Sequence, residues 1–519
     1  MTGWPPEFAR RYRERGYWQG RTLGSLLRES ARRTPSATAL VDRDRRWSYR
    51  ELDRDADRIA AGLRACGLRP GDRILVHLPN VAEFVLLLFG CFRAGIVPVL
   101  ALPAHRESEL THLAAASGSV AFVTDRAGLL DLPLVFVVGD DPGPHRGFAD
   151  LLSEVDDEVD EADPSDVAVL LLSGGTTGLP KLIPRTHDDY SYNLRASAEV
   201  AGLDATTVYL VALPAAHNFP LACPGLLGTL WAGGTVVLAT SADPETAFPL
   251  IAQERVTTVA LVPPLVLVWL DAVPSLAPDL SSLRLVQAGG ARLKQEAARR
   301  VRPELGAALQ QVYGMAEGLL NFTRLDDPDD LVTGTQGIPL SEDDEVLLVG
   351  PDGSPVPAGA PGELLVRGPY TLRGYFGAPD ENRRAFTPEG FYRSGDLVRR
   401  LPTGHLVVEG RCKDVINRGG DKVPVEEVEN LLLTHPDVRD VAIVGYPDQL
   451  LGERTCAFVL APGEPPGRAD LVAHLRRIGV AAFKLPDRVR VLGDFPRTGL
   501  GKVDKAALAM LAAGGNSGV

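Results

Sequence analysis

The sequence predicts an α/β protein, with a large N-terminal domain of wound α/β subdomains plus a β-rich subdomain, and a small α+β domain at the C-terminus. Three observations carry that prediction. Between residues 20 and 313, short apolar runs alternate with stretches whose apolar residues recur at helical spacing, the pattern of a mainly parallel wound sheet. After Asp344 the pattern becomes β-rich, and beyond Gly410 helix and strand signals are mixed. A chain of 519 residues also exceeds what one core accommodates, so a division into 1–410 and 411–519 is expected.

Taken in order, Tyr49 to Cys66 repeats apolar side chains at helical spacing and stops at Gly67, with Pro70-Gly71 just beyond. Arg73 to Leu78 reads as a strand, Val81 to Arg93 as a second helix and Val97 to Leu100 as a second strand. Arg93 and Arg106 are placed on solvated faces. Phe84 to Leu100 is the most apolar segment, but Gly90, Arg93 and Pro98 interrupt it, which marks a buried helix entering a strand and not a membrane span. Residues 153–166 are acidic with a proline and read as a solvated linker. Strands follow at Val208–Leu213, Thr235–Ala239, Val256–Val262, Leu283–Ala288 and Leu309–Tyr313. Gly289-Gly290-Ala291 ends the fourth of them, at the strand end where open α/β sheets place ligands. The β-rich stretch holds Glu345–Val349, Gly362–Arg367 and Phe391–Leu397. The last part interleaves helices at Val425–Leu433 and Ala469–Arg477 with strands at Val438–Gly445, Cys456–Leu460 and Arg488–Val491.

A formal net charge of −13 argues against a nucleic-acid partner, which would favour a basic stripe. Five scattered cysteines show neither paired metal spacing nor a disulfide framework, in keeping with a reducing compartment. The N-terminus, MTGWPPEFARRYRERGYW, has charges and prolines where a signal peptide has an apolar core. A cytoplasmic protein with no membrane partner is expected.

The stretch Val169 to Arg185 reads VLLLSGGTTGLPKLIPR. Its apolar start suits a buried strand, while Ser173-Gly174-Gly175-Thr176-Thr177-Gly178 cannot continue one. Glycines let a backbone turn tightly against a ligand, hydroxyls add donors, and Lys181 adds a positive charge. That combination is what a polyphosphate needs. It is not a Walker A motif, because Leu179-Pro180 separate Gly178 from Lys181 and no hydroxyl follows the lysine. Taken alone, the hexapeptide reads as a Gly-rich surface loop.

The whole string resembles the phosphate loop of the adenylate-forming superfamily: acyl-CoA synthetases, peptide-synthetase adenylation domains and luciferases. The superfamily's other signatures follow in its order up to residue 505. Tyr313-Gly314-Met315-Ala316-Glu317 resembles the string whose aromatic stacks on adenine and whose carboxylate holds Mg²⁺; Ala316 stands where Thr is usual, a departure shared by aryl-acid members. Tyr392-Arg393-Ser394-Gly395-Asp396 resembles the ribose motif, and a carboxylate suits a vicinal diol because it offers two acceptor oxygens. Gly410-Arg411 with Lys413-Asp414 resembles the hinge, in which Arg411 contacts ribose or phosphate and Lys413 absorbs the swing of a mobile small domain. Lys502, inside Thr498-Gly499-Leu500-Gly501-Lys502-Val503, matches the catalytic lysine. The resemblance implies ATP and Mg²⁺ as cofactors. It puts Ser173 to Gly178 and Lys181 on the phosphates, and Gly290, Ala291, Val312, Tyr313, Asp396 and Arg411 on adenosine.

The segment Ala216-His217-Asn218-Phe219-Pro220-Leu221-Ala222-Cys223 looks like that of stand-alone aryl-acid adenylating enzymes, which begin siderophore and related peptide assembly. There the asparagine binds the carboxylate and ortho-hydroxyl of a benzoate, and the next aromatic packs on the ring. His217 stands equally as a structural histidine or as a substrate contact with a catalytic part. The implied acid pocket comprises His217, Asn218, Phe219, Cys223, Gly290 and Leu320. Enzymes for 2,3-dihydroxybenzoate tend to have Ser at the Cys223 position and Val at the Leu320 position. A thiol donates poorly and leucine is bulkier, and burying an unpaired hydroxyl costs roughly 1–3 kcal/mol. Salicylate is therefore the expected acid. The resemblance implies a phosphopantetheinyl aryl carrier protein from another chain as acceptor, met through a tunnel at Gly419 and Gly420. An aryl-CoA ligase using free CoA remains open. A binding protein without catalysis is disfavoured by the presence of Lys502, Glu317 and Asp396.

Overall fold

The computed structural model describes residues 3–154, 162–173, 180–412, 415–418, 421–448, 451–478, 480, 482–498 and 502–514. Gly174, Gly175, Thr176, Thr177, Gly178, Lys413, Gly419 and Gly420 lie outside the described residues. The described chain forms two compact units, one taking in residues up to 345 together with 366–392, the second 346–365 and 393 onward.

The first unit holds two wound sheets. One has the strand order Arg146–Gly147, Leu134–Val137, Ala121–Thr124, Arg73–His77, Val97–Leu100, Val167–Leu172 and Leu182–Thr186. Its pairs are parallel except the last, where Val167–Leu172 and Leu182–Thr186 run antiparallel across the expected phosphate loop. In the other, Leu285–Gly289, Thr258–Leu261, Val208–Val211, Thr235–Leu238 and Thr38–Asp42 run parallel in that order. Ala308–Gly314 extends that set beside Leu285–Gly289 and then turns back antiparallel into Leu320–Phe322. The strand Thr38–Asp42 lies early in the chain yet completes a sheet whose other parallel members begin at Val208.

Helices start where the sequence supplies caps. Tyr49–Ala65 opens on a Ser48/Glu51 capping box, in which each side chain bonds the other's backbone N–H, and its chain reverses at Gly67 with φ near 90°. Its apolar face meets Ala82–Ala94, and at that crossing a Cβ on Gly90 would come within 2.4 Å of Ile59 Cγ2. The expectation of a solvated Arg93 is corrected here. Its side chain is wholly buried, with Nη1 donating to the Asp53 carbonyl at 2.6 Å and paired with Asp57 at 2.9 Å, and with Nη2 on the Asp53 carboxylate. Two carboxylates on the neighbouring helix make burial of the guanidinium tolerable.

In the second unit, Tyr392–Arg400 and Leu406–Arg411 form a hairpin within a four-stranded sheet. A further sheet pairs Asp440–Asp448 with Gly452–Leu460, which pairs with Arg488–Val491. The helices Val425–Leu432 and Arg468–Arg477 pack on it over a core of Val428, Leu432, Leu471 and Leu475. No helix among the described residues is long and apolar enough to cross a membrane.

Candidate active site

In the first unit the expected acid-binding residues sit at the C-terminal ends of parallel strands. After Val208–Val211 the chain enters a short helix, Asn218–Ala222, whose N-cap is His217; its Nδ1 accepts from the Phe219 N–H at 3.3 Å. His217 thus has a structural bond, which sits beside any contact with substrate. Asn218 is buried, with Oδ1 accepting from the Tyr190 hydroxyl at 2.7 Å and Nδ2 donating to Cys223 Sγ at 3.4 Å. The thiol points back to the Asn218 carbonyl at 3.5 Å, and burial pushes it up to about 12, so it is neutral at physiological pH. Asn193 Nδ2 holds the end of the turn by donating to the Ala222 carbonyl at 2.6 Å.

Phe219 packs against the end of the neighbouring strand. A Cβ on Gly289 would meet its ring at 2.9 Å and the Val312 carbonyl at 2.8 Å, so only glycine allows that approach. Gly289 is in register with Val312, which brings Gly290, Ala291, Val312 and Tyr313 to adjacent strand ends. Leu320 is buried opposite Gly314, where a Cβ would lie 2.3 Å from its Cδ2. Its N–H donates to the Tyr370 hydroxyl at 3.2 Å, and that hydroxyl donates to Asp344 Oδ2.

Behind Asn218 lies a buried polar group that the sequence reading did not single out. Arg185 is wholly buried; its Nε donates to Asp189 Oδ1 at 2.8 Å, its Nη1 to the Ala316 carbonyl at 3.2 Å, and its guanidinium lies 4.7 Å from the centre of the Tyr190 ring. Burial raises Asp189 and Tyr190, and Arg185 opposes both shifts. One local signal was available. Thr186 and Asp189 form a capping box that opens the helix His187–Val200.

The phosphate-side residues are partly described. Ser173 and Lys181 close the base of the loop: Ser173 N donates to the Lys181 carbonyl and Lys181 N to Ser173 Oγ, both at 3.0 Å. Lys181 Nζ lies 2.5 Å from Glu381 Oε1 and 4.6 Å from the centre of the Tyr375 ring. The Tyr375 hydroxyl donates to Glu317 Oε1 at 3.0 Å and lies 3.0 Å from the Tyr392 hydroxyl. Glu317 is buried, and Gly318 beside it has φ near 135°, with Thr371 Cα 2.4 Å from where a Cβ would stand. Tyr375 and Glu381 carried no motif that would mark them.

Among the described residues no group of three or more His, Cys, Asp or Glu side chains is arranged to hold a metal. One buried carboxylate whose Oε1 is fixed by a hydroxyl fits Mg²⁺, which keeps several waters and takes one or two carboxylates together with substrate phosphates.

In the second unit Asp396 is buried in its turn, its N–H donating to Ser394 Oγ at 3.0 Å. It pairs across the hairpin with Arg411, Nε to Oδ1 at 2.7 Å, while the arginine side chain is 61% exposed. The expected ribose carboxylate and the arginine expected on ribose or phosphate are therefore brought together. Lys502 is half-buried on a separate hairpin, closed by the Arg497–Val503 bridge and by a Thr498 N–H to Lys502 carbonyl bond of 2.8 Å. Arg418, which precedes Gly419, makes two bonds of 2.8 and 3.0 Å to Asp487.

Comparison with known proteins supplies the family. Residues 27–376 match the family model described as AMP-binding enzyme, and residues 427–502 match AMP-binding enzyme C-terminal domain. The chain is 50% identical to a 2,3-dihydroxybenzoate-AMP ligase of Bacillus subtilis, with 98% of this chain and 97% of that protein covered. It is 49% identical to a salicyl-AMP ligase / salicyl-S-ArCP synthetase of Mycobacterium tuberculosis, covering 97% and 93%. Among solved structures, apo MbtA of Mycobacterium smegmatis is similar at a TM-score of 0.77 and 50% identity, over 98% of both chains.

Proposed function

The chain belongs to the AMP-binding enzyme family, and from that premise we propose that this aryl-acid adenylating ligase activates salicylate and passes it to the phosphopantetheine thiol of an aryl carrier protein. The step would serve siderophore or related peptide assembly. The observation that carries the choice of acid is the pairing of Asn218 with Cys223. A neutral thiol stands where a hydroxyl would be needed to satisfy a 3-hydroxyl on the ring. Leu320, packed onto Gly314, adds bulk at the other expected ring contact. The Asn218 amide, oriented by Tyr190, supports reading a carboxylate with its ortho-hydroxyl.

Adenylation forms a bond between an aryl carboxylate oxygen and the α-phosphorus of ATP, and the bond from that phosphorus to the pyrophosphate oxygen breaks. Ser173 to Gly178 and Lys181 hold the phosphates, while Gly290, Ala291, Val312 and Tyr313 bind the adenosine. Asp396 binds the ribose, and Arg411 the ribose or a phosphate. Glu317 would hold Mg²⁺, which neutralises phosphate charge when bound. Lys502 stabilises charge building between carboxylate and α-phosphate, where a preorganised cation is worth far more than in water. The body 411–519 then swings about Lys413, withdrawing Lys502 and presenting Gly419 and Gly420. The thiol attacks the acyl carbon, and AMP leaves with its phosphate oxygen.

The test is acid-dependent ATP–pyrophosphate exchange with salicylate, 2,3-dihydroxybenzoate and benzoate, followed by thioester formation with a phosphopantetheinyl carrier or free CoA. Salicylate should give the highest kcat/KM, and the carrier should outcompete CoA. A preference for 2,3-dihydroxybenzoate removes the salicylate reading, and faster transfer to CoA makes the protein an aryl-CoA ligase.

A further inference from the structure

Glu381 has no part in the reaction as derived, yet its carboxylate lies 2.5 Å from the Lys181 ammonium. The contact is built from several sides. Glu381 stands in the first turn of the helix Pro379–Ala385. Asn382 clamps that helix to Tyr375: Tyr375 N donates to Asn382 Oδ1 at 2.7 Å, and Asn382 Nδ2 donates to the Tyr375 carbonyl at 3.0 Å. Gly374 leaves room for this clamp, since a Cβ there would come within 2.9 Å of Asn382 Nδ2. The same Tyr375 offers its ring face to Lys181 at 4.6 Å and its hydroxyl to Glu317 at 3.0 Å. Helix, clamp and ring therefore set Glu381 and Lys181 at contact distance, beside the carboxylate expected to carry Mg²⁺.

We propose that Glu381 is a positioning residue for ATP. Its carboxylate holds the Lys181 ammonium over the Tyr375 ring until the nucleotide's phosphates displace it, so Glu381 lowers ATP affinity and takes no part in the chemistry. The inference rests on the reading that Lys181 holds the phosphates. A carboxylate and a phosphate cannot both take the short charge-assisted bond along one direction from the ammonium, so the two anions compete. The side chains are 36% and 35% exposed, which places the pair among the weak, water-screened ion pairs. A grip of that size is one an arriving polyphosphate can break.

The test uses the full chain and MgATP alone, by calorimetric titration, with KM values from pyrophosphate exchange alongside. Glu381→Gln should tighten MgATP roughly two- to fivefold and lower its KM, while KM for salicylate stays in place. Glu381→Asp, which keeps the charge on a shorter side chain, should fall between wild type and Glu381→Gln. The gain from Glu381→Gln should vanish in a Lys181→Ala background, because nothing remains to be released. Salt should narrow the difference between wild type and Glu381→Gln. If Lys181→Ala weakens MgATP while Glu381→Gln leaves it unchanged or weakens it, the competition is wrong and Lys181's role stands. If Lys181→Ala binds MgATP as wild type does, the phosphate role of Lys181 fails and the proposal fails with it.

Discussion

Asn218 and Asp396 are both polar side chains expected to meet hydroxyl groups of a ligand, and they are held by different kinds of partner. Asn218 is bonded to a buried tyrosine and a buried thiol, with a wholly buried arginine behind the tyrosine. Asp396 is bonded to an arginine that is 61% exposed. Removing a partner from the first set strands a buried polar atom, at about 1–3 kcal/mol, whereas in the second pair Asp396 is buried and only the Arg411 end is open to water. The contacts of Asn218 are thus buried at both ends, whereas the Asp396–Arg411 pair has one end in solvent.

The largest effect is expected at Lys502. Lys502→Ala should depress adenylate formation by about 10²–10³-fold, on the scale of losing one preorganised charge-stabilising group. Thioester formation from supplied salicyl-adenylate should be much less affected. Equal losses in both half-reactions, followed by quenched-flow assay, would mean that the lysine works in a fixed place. Next in size is Asn218→Ala, which leaves the Tyr190 hydroxyl without its buried acceptor. Affinity for salicylate should fall roughly tenfold to a hundredfold and affinity for ATP much less. An unchanged ratio of the two Kd values would give Asn218 a purely structural part. The Cys223→Ser/Leu320→Val double variant should narrow the preference for salicylate over 2,3-dihydroxybenzoate by about tenfold, as expected for one hydroxyl partner and one methylene. Unchanged selectivity would show that the ring is read elsewhere.

The smallest effect on turnover is expected at Asp344, and it is read in stability. Burial pushes its carboxyl up to about 7, and Oδ1 has no hydrogen-bond partner among the described residues. The native chain therefore keeps a proton that the unfolded chain loses above the ordinary value of 3.8. Native stability should fall as pH rises from about 4 to about 7, by on the order of 4 kcal/mol at most. Asp344→Asn, with no proton to lose, should flatten that slope in urea titrations across the same window. An equal slope in both proteins would show that Asp344 is ionised in the native state.

Much of this was legible in the residues. The alternation from Arg73 to Gly314 marked parallel strands because each carries its apolar run and its punctuation locally. The sequence also singled out Asn218, Glu317, Asp396 and Lys502 as candidates, since each lies in a short contiguous string. Arg93 was misread because the same residue suits solvent or a buried carboxylate pair, and Asp53 and Asp57 announce nothing about which helix they will face.

By itself, then, the sequence determined the fold class, the family and the short strings expected to meet acid, ribose and phosphate, all of them properties of contiguous residues. Only the tertiary structure decided that Thr38–Asp42 joins a sheet begun some 170 residues later, at Val208. It also decided that Tyr190 holds Asn218 and that Glu381 takes Lys181. The physical reason is the same in each case. A partner chosen across a long stretch of chain is selected by the packing of whole elements, and no local spacing or turn residue records it.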